Sequence, residues 1–454
     1  MDALRTANGA GFWGDNLDAP VRLAESGQVD VLTLEYLAEL TLAILAHQRS
    51  RRPEAGYVHD LPPLLRRIRS AVEGGLRIVT NGGGLNVTAC AAACAAELDP
   101  MTPIGVVTGD DVLADLPTWL VEGVRLDHLE TGAPLTDVAD RLVCANVYLG
   151  ARPIAEALSQ GAQVVLTGRV ADASLALGPA AAYHGWSWDD YDTLASASVA
   201  GHLIECGAQV TGGLWHNWAE IEDLAGVGYP IAEVARDGSS VITKPEPSGG
   251  LVTVANVAEQ LVYEIEDPSC YRTPDVDVDL TGVVLTQAGR NRVAVSRTVG
   301  RAPAPFLKLS AIYRDGWTAS GWLAVVGRDA EAKARACGAI VLERVRRAGF
   351  ELAETCVEVL GAGDVVRGLV RPSEPPYEVL LRMTVRDPRR EAVERFCREL
   401  APLITSGPAG LAGYAGGRPE ARPAYGYWPA LVPRERVTAG VEVRSARDWK
   451  AGGP

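Results

Sequence analysis

Four glycine-containing polar clusters punctuate the first half of the chain, each directly after a short apolar run of strand type. They are Asn8–Asn16, Thr80–Asn86, Thr108–Asp111 and Thr167–Asp172. In a parallel α/β sheet, ligands bind in the crevice outside the carboxyl ends of the strands. Four such ends therefore predict one composite pocket. Its expected wall is Gly11, Asp15 and Asn16 from the first cluster and Asn81, Gly82, Gly83, Gly84 and Asn86 from the second. Asp110 comes from the third, Arg169 and Asp172 from the fourth.

Hydrophobic periodicity supports that frame. Strand-like runs lie at 29–34, 76–80, 104–108, 142–148 and 163–167, separated by helical patterns at 36–48, 61–73, 88–97 and 153–160. Alternation at this spacing predicts a doubly wound, mostly parallel sheet in an N-terminal α/β domain, residues 1–228. Near Tyr229 the texture changes. From Thr253 to Val326 apolar and polar residues alternate as in antiparallel strands, and helix-type stretches follow at 332–348 and 390–400. An α+β lobe is expected over 229–454, ending in a Gly/Pro/Tyr-rich tail that wraps a surface.

Composition narrows the function class. With 454 residues, 47% hydrophobic and 22% charged, the chain can bury large cores. A formal charge of −14 disfavours binding to a phosphate backbone. The run 29–46 is broken by Asp30, Glu35 and Glu39, so it is not read as a membrane span, and no leader pattern is read at the N-terminus. The eight cysteines form no CxxC and no disulfide framework, which suits a reducing cytoplasm.

Several residues carry candidate chemistry. Asn81–Gly84 before a helix reads as an anion or oxyanion cradle of backbone N–H groups, or as a turn that needs φ > 0. Asp110 and Asp111 point to opposite faces on an extended backbone; one of them can act as a base, or the pair can hold Mg²⁺ through waters. Arg169 is a bidentate clamp for a carboxylate, or an ion-pair partner of Asp172. On a helix, His202, Glu205 and Cys206 share one face at i, i+3 and i+4, which offers acid–base catalysis or a thiol. The same segment also reads as a satisfied core histidine beside a buried thiol.

The order of these motifs resembles the acyclic terpene utilisation (AtuA-like) family over Gly9 to about Asp315. The resemblance rests on Gly9–Asp15, Val29–Glu39, Ile78–Gly84, Val107–Val112, Gly168–Leu175 and Gly201–Gly213. It implies breakdown of branched, isoprenoid-type acids through acyl-CoA intermediates. It also implies a small ferredoxin-like domain, supplied by a separate subunit or by a reduced version after Glu331. The Tyr414, Tyr425, Tyr427 and Trp428 region is the expected partner surface, with internal packing against the second lobe or a homo-oligomer contact as the alternatives. The favoured reading is a cytoplasmic hydro-lyase or isomerase. His202 would be its acid, Glu205 or Asp110 its base, and it would need no certain cofactor. A non-catalytic acyl-binding subunit and a metal-dependent hydrolase or lyase are the alternatives.

Overall fold

Short aliphatic runs form β1 (Leu4–Asn8), β2 (Val31–Leu34), β3 (Arg77–Thr80), β4 (Pro103–Thr108), β5 (Leu142–Val147) and β6 (Val164–Thr167). Between them lie α1 (Ala19–Glu25), α2 (Glu39–Arg51), α3 (Leu61–Arg67), α4 (Arg69–Glu73), α5 (Val87–Ala95), α6 (Leu116–Val121) and α7 (Arg152–Ser159). The helices α8 (Ser174–His184) and α9 (Tyr191–Glu205) follow. The computed structural model describes residues 3–366, 368 and 374–451. Its contacts divide the chain into two units, Met1–Ile312 with Tyr427–Pro454, and Tyr313–Gly426.

In the first unit β1, β2, β3, β6 and β4 are parallel neighbours in that order. Successive strands from β1 to β4 step in one direction across the sheet, and the chain then steps back to β6. With crossovers of one hand, that reversal must change the face on which the connecting helices lie. The cores agree. Alternate strand residues Leu32, Ile78, Ile104 and Leu166 pack with α1, α3 and α5. Their neighbours Val31, Val79, Val107 and Val165 pack with α7, α8 and α9.

The expectation of a doubly wound, mostly parallel sheet needs correction. Residues 229–296 add β7 (Ile231–Val234) and β8 (Ser240–Thr243), then α10 (Val254–Leu261) and two short strands, β9 (Tyr271–Arg272) and β10 (Asp277–Asp279). Next come β11 (Val284–Gly289) and β12 (Arg292–Ser296), with β13 (Val299–Arg301) after them. The antiparallel strands β7, β8, β12 and β11 continue the sheet beyond β1, so the result is a large mixed sheet. The cause is a hairpin turning at Gly238, whose φ of +81° an L-residue rarely adopts. This hairpin returns the chain to the free edge of β1. β5 is a strand as expected, but it pairs outside this sheet, with β14 (Phe306–Val326).

β14 leads into the second unit. There it is followed by α11 (Ala330–Arg347), β15 (Glu354–Leu360), β16 (Glu378–Asp387), α12 (Arg390–Glu399), α13 (Leu403–Ser406) and β17 (Leu411–Tyr414). The order β15-β16-β14-β17, all antiparallel, is the βαββαβ arrangement of ferredoxin-like folds. This chain therefore contains that arrangement itself, and it starts at β14 rather than after Glu331. The tail forms β18 (Arg422–Pro433) and β19 (Gly440–Ser445), the latter paired antiparallel with β4, and ends in α14 (Ala446–Ala451). Trp428 is buried with its indole N–H on Leu126 O at 3.1 Å, while Tyr414, Tyr425 and Tyr427 are partly buried. Among the described residues no helix is long and apolar enough to cross a membrane.

Candidate functional site

The carboxyl ends of β1, β2 and β6 meet the C-terminus of α9 around a cavity of about 630 Å³. That is an ordinary size for a small-molecule site. Gly11 and Asp15 come from the loop after β1, Glu35 and Glu39 from the segment after β2, and Arg169 and Asp172 from the loop after β6. Glu205 and Cys206 close the end of α9, and Tyr148, Tyr229, Glu264 and Lys308 complete the charged and phenolic wall.

Arg169 is 2% exposed; both of its terminal nitrogens are engaged by the protein, while Nε has no hydrogen-bond partner among the described residues. Its Nη2 donates to Asp172 Oδ1 at 2.5 Å, its Nη1 donates to Leu37 O, and Glu35 Oε1 lies 3.5 Å away. Its guanidinium also sits 4.0 Å from the Tyr148 ring centre, a cation–π contact. Burial alone would lower its pKa, but Asp172, Tyr148 and Glu35 outweigh burial and hold it above the ordinary value. The Glu35 carboxyl is pushed well up, first by burial and then by Asp172, with Arg169 and Asn81 pulling the other way. A guanidinium neutralised in this manner makes a poor clamp for a free carboxylate; its role as an ion-pair partner of Asp172 is the one the contacts support.

Helix α9 places the second group. Asp190 caps its start, accepting from Thr193 N at 3.4 Å. At its other end Asn8 donates to Ile204 O at 3.0 Å and Glu205 O at 2.7 Å, satisfying carbonyls that a helix end leaves open. Gly11 presses against this end: a Cβ there would stand 2.7 Å from the Cys206 carbonyl carbon. Glu205 thereby reaches the cavity, and His202 lies behind it, 2% exposed and outside the cavity wall. His202 Nε2 is 3.3 Å from Leu261 O, which can only accept, so Nε2 carries hydrogen. Nδ1 then shares a proton with Glu205 Oε1 at 3.1 Å. Among the described residues Glu205 Oε2 has no hydrogen-bond partner. Burial raises the Glu205 carboxyl, and His202 partly offsets that. Burial works downward on His202, but the bond to Glu205 prevails and raises it. The Cys206 thiol is pushed up to about 12 by burial and by Glu205, which opposes thiolate formation.

A third cluster joins Glu39, Tyr148 and Lys308. Tyr148 OH donates to Glu39 Oε1 at 3.0 Å, and Lys308 Nζ lies 3.5 Å from the same oxygen. The ammonium faces the rings of Tyr148 at 4.8 Å and Tyr427 at 5.9 Å. Burial would lower Lys308, yet Tyr148, Tyr427 and Glu39 together raise it.

Several expected wall residues stand elsewhere. Asn81 is buried beneath Glu35, its amide nitrogen 2.6 Å from both carboxylate oxygens and its Oδ1 accepting from Tyr36 N at 2.8 Å. The expected cradle is closed by its own contacts. Gly82 N donates to Thr80 Oγ1 at 3.0 Å and Gly84 N to Asn81 O at 3.1 Å. At Gly83 a Cβ would meet Thr167 O at 2.6 Å, so that glycine serves backbone packing. Asn86 caps α5, accepting from Ala89 N at 3.3 Å. Gly11 N donates to Asp15 Oδ2 at 2.9 Å, while Tyr229 OH donates to Asp15 Oδ1 at 2.5 Å. Asn16 is exposed and bonded within its own turn. Asp110 is buried away from the cavity and accepts from Arg169 N at 2.7 Å and Asn146 Nδ2 at 2.8 Å. Asp111 diverges from it toward Leu113 N and Arg49, so the two carboxylates do not converge on an ion. Among the described residues no group of three or more His, Cys, Asp or Glu is arranged to hold a metal.

Sequence reasoning missed Glu35, Glu39, Tyr148, Tyr229, Glu264 and Lys308 as wall residues. Glu35 had a usable signal, an acid directly after the apolar strand β2, the same rule that located Arg169. Lys308 and Tyr148 had none. Together the fold and site define a mixed α/β protein whose acid-rich cavity lies at the ends of its parallel strands. The model of the acyclic terpene utilisation family protein AtuA matches residues 4–443, and the chain belongs to that family. No curated protein and no solved structure matches it.

Proposed function

We propose that this chain is an acid–base enzyme in the breakdown of branched acyl compounds, interconverting a β-hydroxyacyl thioester and its enoyl counterpart. The observation that carries this reading is Glu205, a carboxyl in the cavity wall with one oxygen backed by His202 at 3.1 Å and the other unpartnered. A base for a proton α to a carbonyl needs a carboxylate of raised basicity held near the substrate. Burial supplies the basicity, and the His202 contact supplies a partner through which a proton can be shared. A thioester suits the cavity better than a free acid. Arg169 is already paired with Asp172, with Glu35 Oε1 3.5 Å away, and Glu264 and Asp15 add further carboxyls to the wall. The family's link with terpene utilisation supports a branched, isoprenoid-type acyl chain.

The test is Glu205→Gln assayed on a 3-methyl-branched enoyl thioester, followed by loss of the conjugated absorbance. Removing a general base typically lowers turnover about 10²- to 10⁴-fold, and that loss is expected with an unchanged circular dichroism spectrum. Full turnover by the Glu205→Gln protein, or no conversion by the wild-type protein, would sink the reading.

A further inference from the structure

The proton transfer assigned to Glu205 leaves the Glu39–Tyr148–Lys308 cluster without a task, although all three residues line the same cavity. They come from separate parts of the chain. Glu39 opens α2, Tyr148 follows β5 and Lys308 lies near the start of β14, while Tyr427 joins from β18. The chain has only four lysines among its 43 basic residues, so arginine is its usual cation. A lysine in the cavity is therefore informative. Arginine presents a planar fork suited to two oxygens, whereas an ammonium is a compact point charge with three donors suited to one. The Tyr427 hydroxyl takes one of the Lys308 hydrogen bonds and Glu39 at 3.5 Å is a charge contact beyond ordinary hydrogen-bond length, which leaves the ammonium donor capacity for a ligand oxygen. The Tyr148 and Tyr427 rings hold the charge in place.

We propose that Lys308 binds the thioester carbonyl oxygen and stabilises the negative charge that develops there during catalysis. The inference rests on the acyl-thioester reading of this cavity. When Glu205 removes the α-proton, the electron pair of the C–H bond forms a carbon–carbon double bond and the carbonyl π pair moves to oxygen, beside the Lys308 ammonium. On collapse the carbonyl reforms, the new pair shifts to the α–β bond, and the β C–O bond breaks. The leaving hydroxyl takes the proton held by Glu205 and departs as water. Tyr148 acts by positioning: its hydroxyl occupies Glu39 Oε1 and its ring faces the ammonium.

The experiment uses the full chain and the N-acetylcysteamine thioester of 3-hydroxy-3-methylbutanoic acid. One readout is acetylation of Lys308 by an N-hydroxysuccinimide ester, measured by peptide mass spectrometry with exposed Lys450 as reference. The other is deuterium uptake at the thioester α-carbon in D₂O. Saturating thioester should slow Lys308 labelling at least about tenfold and leave Lys450 unchanged, and Lys308→Met should slow exchange about 10²- to 10³-fold, the usual loss for one oxyanion donor. Lys308→Arg should recover part of the exchange. Lys308 labelling that ignores the thioester overturns the inference, as does wild-type exchange in Lys308→Met. If Lys308→Met does not fold, the labelling of wild-type protein decides alone. Protection of Lys308 combined with wild-type exchange in Glu205→Gln would sink the Glu205 base while keeping the lysine contact.

Discussion

Replacing Asp110 by Asn separates a structural carboxyl from a catalytic one, because the structure sets both the size and the pH dependence of the effect. Asp110 is buried, and burial pushes its carboxyl from 3.8 up to about 6 despite the bonds from Arg169 N and Asn146. The folded state thus holds this proton at a pH where the unfolded chain has released it. Where the folded state binds more protons, stability falls as pH rises. The contribution is fully present below about pH 4 and lost through about pH 6. At about 1.4 kcal/mol per unit of pKa, ionised Asp110 costs the fold about 3 kcal/mol at pH 8. About half of that loss falls between pH 5 and pH 8 by the same relation. An Asn keeps an oxygen that can accept from Arg169 N and Asn146, and it does not ionise. Urea denaturation of both proteins should therefore show the stability of Asp110→Asn minus wild type growing by about 1.5 kcal/mol from pH 5 to pH 8. Turnover at pH 7 should stay within a few fold. A difference that is flat or shrinks with pH refutes the argument, and a loss of turnover without loss of stability returns Asp110 to the chemistry.

Much of the frame was legible. Aliphatic runs located β2, β3, β4, β5 and β6, and the strand-end rule brought Gly11, Asp15, Arg169 and Asp172 to one cavity. Pairing partners were not legible, since a run of apolar residues specifies a strand without specifying its neighbour. β5 reads like its fellows and yet pairs with β14, and the antiparallel additions beyond β1 come from residues more than 200 positions later. Glycine clusters carried a real ambiguity. A missing Cβ admits a ligand or another stretch of backbone, and at Gly11 and Gly83 the occupant is backbone. Glu35 stands where the strand-end rule applies, directly after β2, whereas Glu39 was legible chiefly as a charge that breaks a membrane-length run. The Tyr148–Glu39 bond spans 109 positions, so no local pattern could disclose it. The ferredoxin-like order was hidden because its first strand is the continuation of β14, which begins in the other unit.

Two further substitutions test the charge network around the cavity. Arg169→Met leaves Glu35 and Asp172 without their cation, and breaking such a buried pair typically costs about 3–5 kcal/mol. A lower melting temperature is expected; a selective rise in KM at unchanged stability would instead restore the carboxylate clamp. His202→Gln tests whether the histidine tunes the base or merely packs. The Glu205 carboxyl is raised by burial and drawn partly back by His202. Without the imidazole its pKa should rise further, and a larger fraction should be protonated at any given pH below it. The acid limb of kcat/KM reports the base in the free enzyme, so that limb should move to higher pH. Glutamine can still hydrogen-bond to both Glu205 and Leu261 O, which limits the packing loss. A limb that stays in place, with only thermal stability reduced, would make His202 a core residue with no influence on the chemistry.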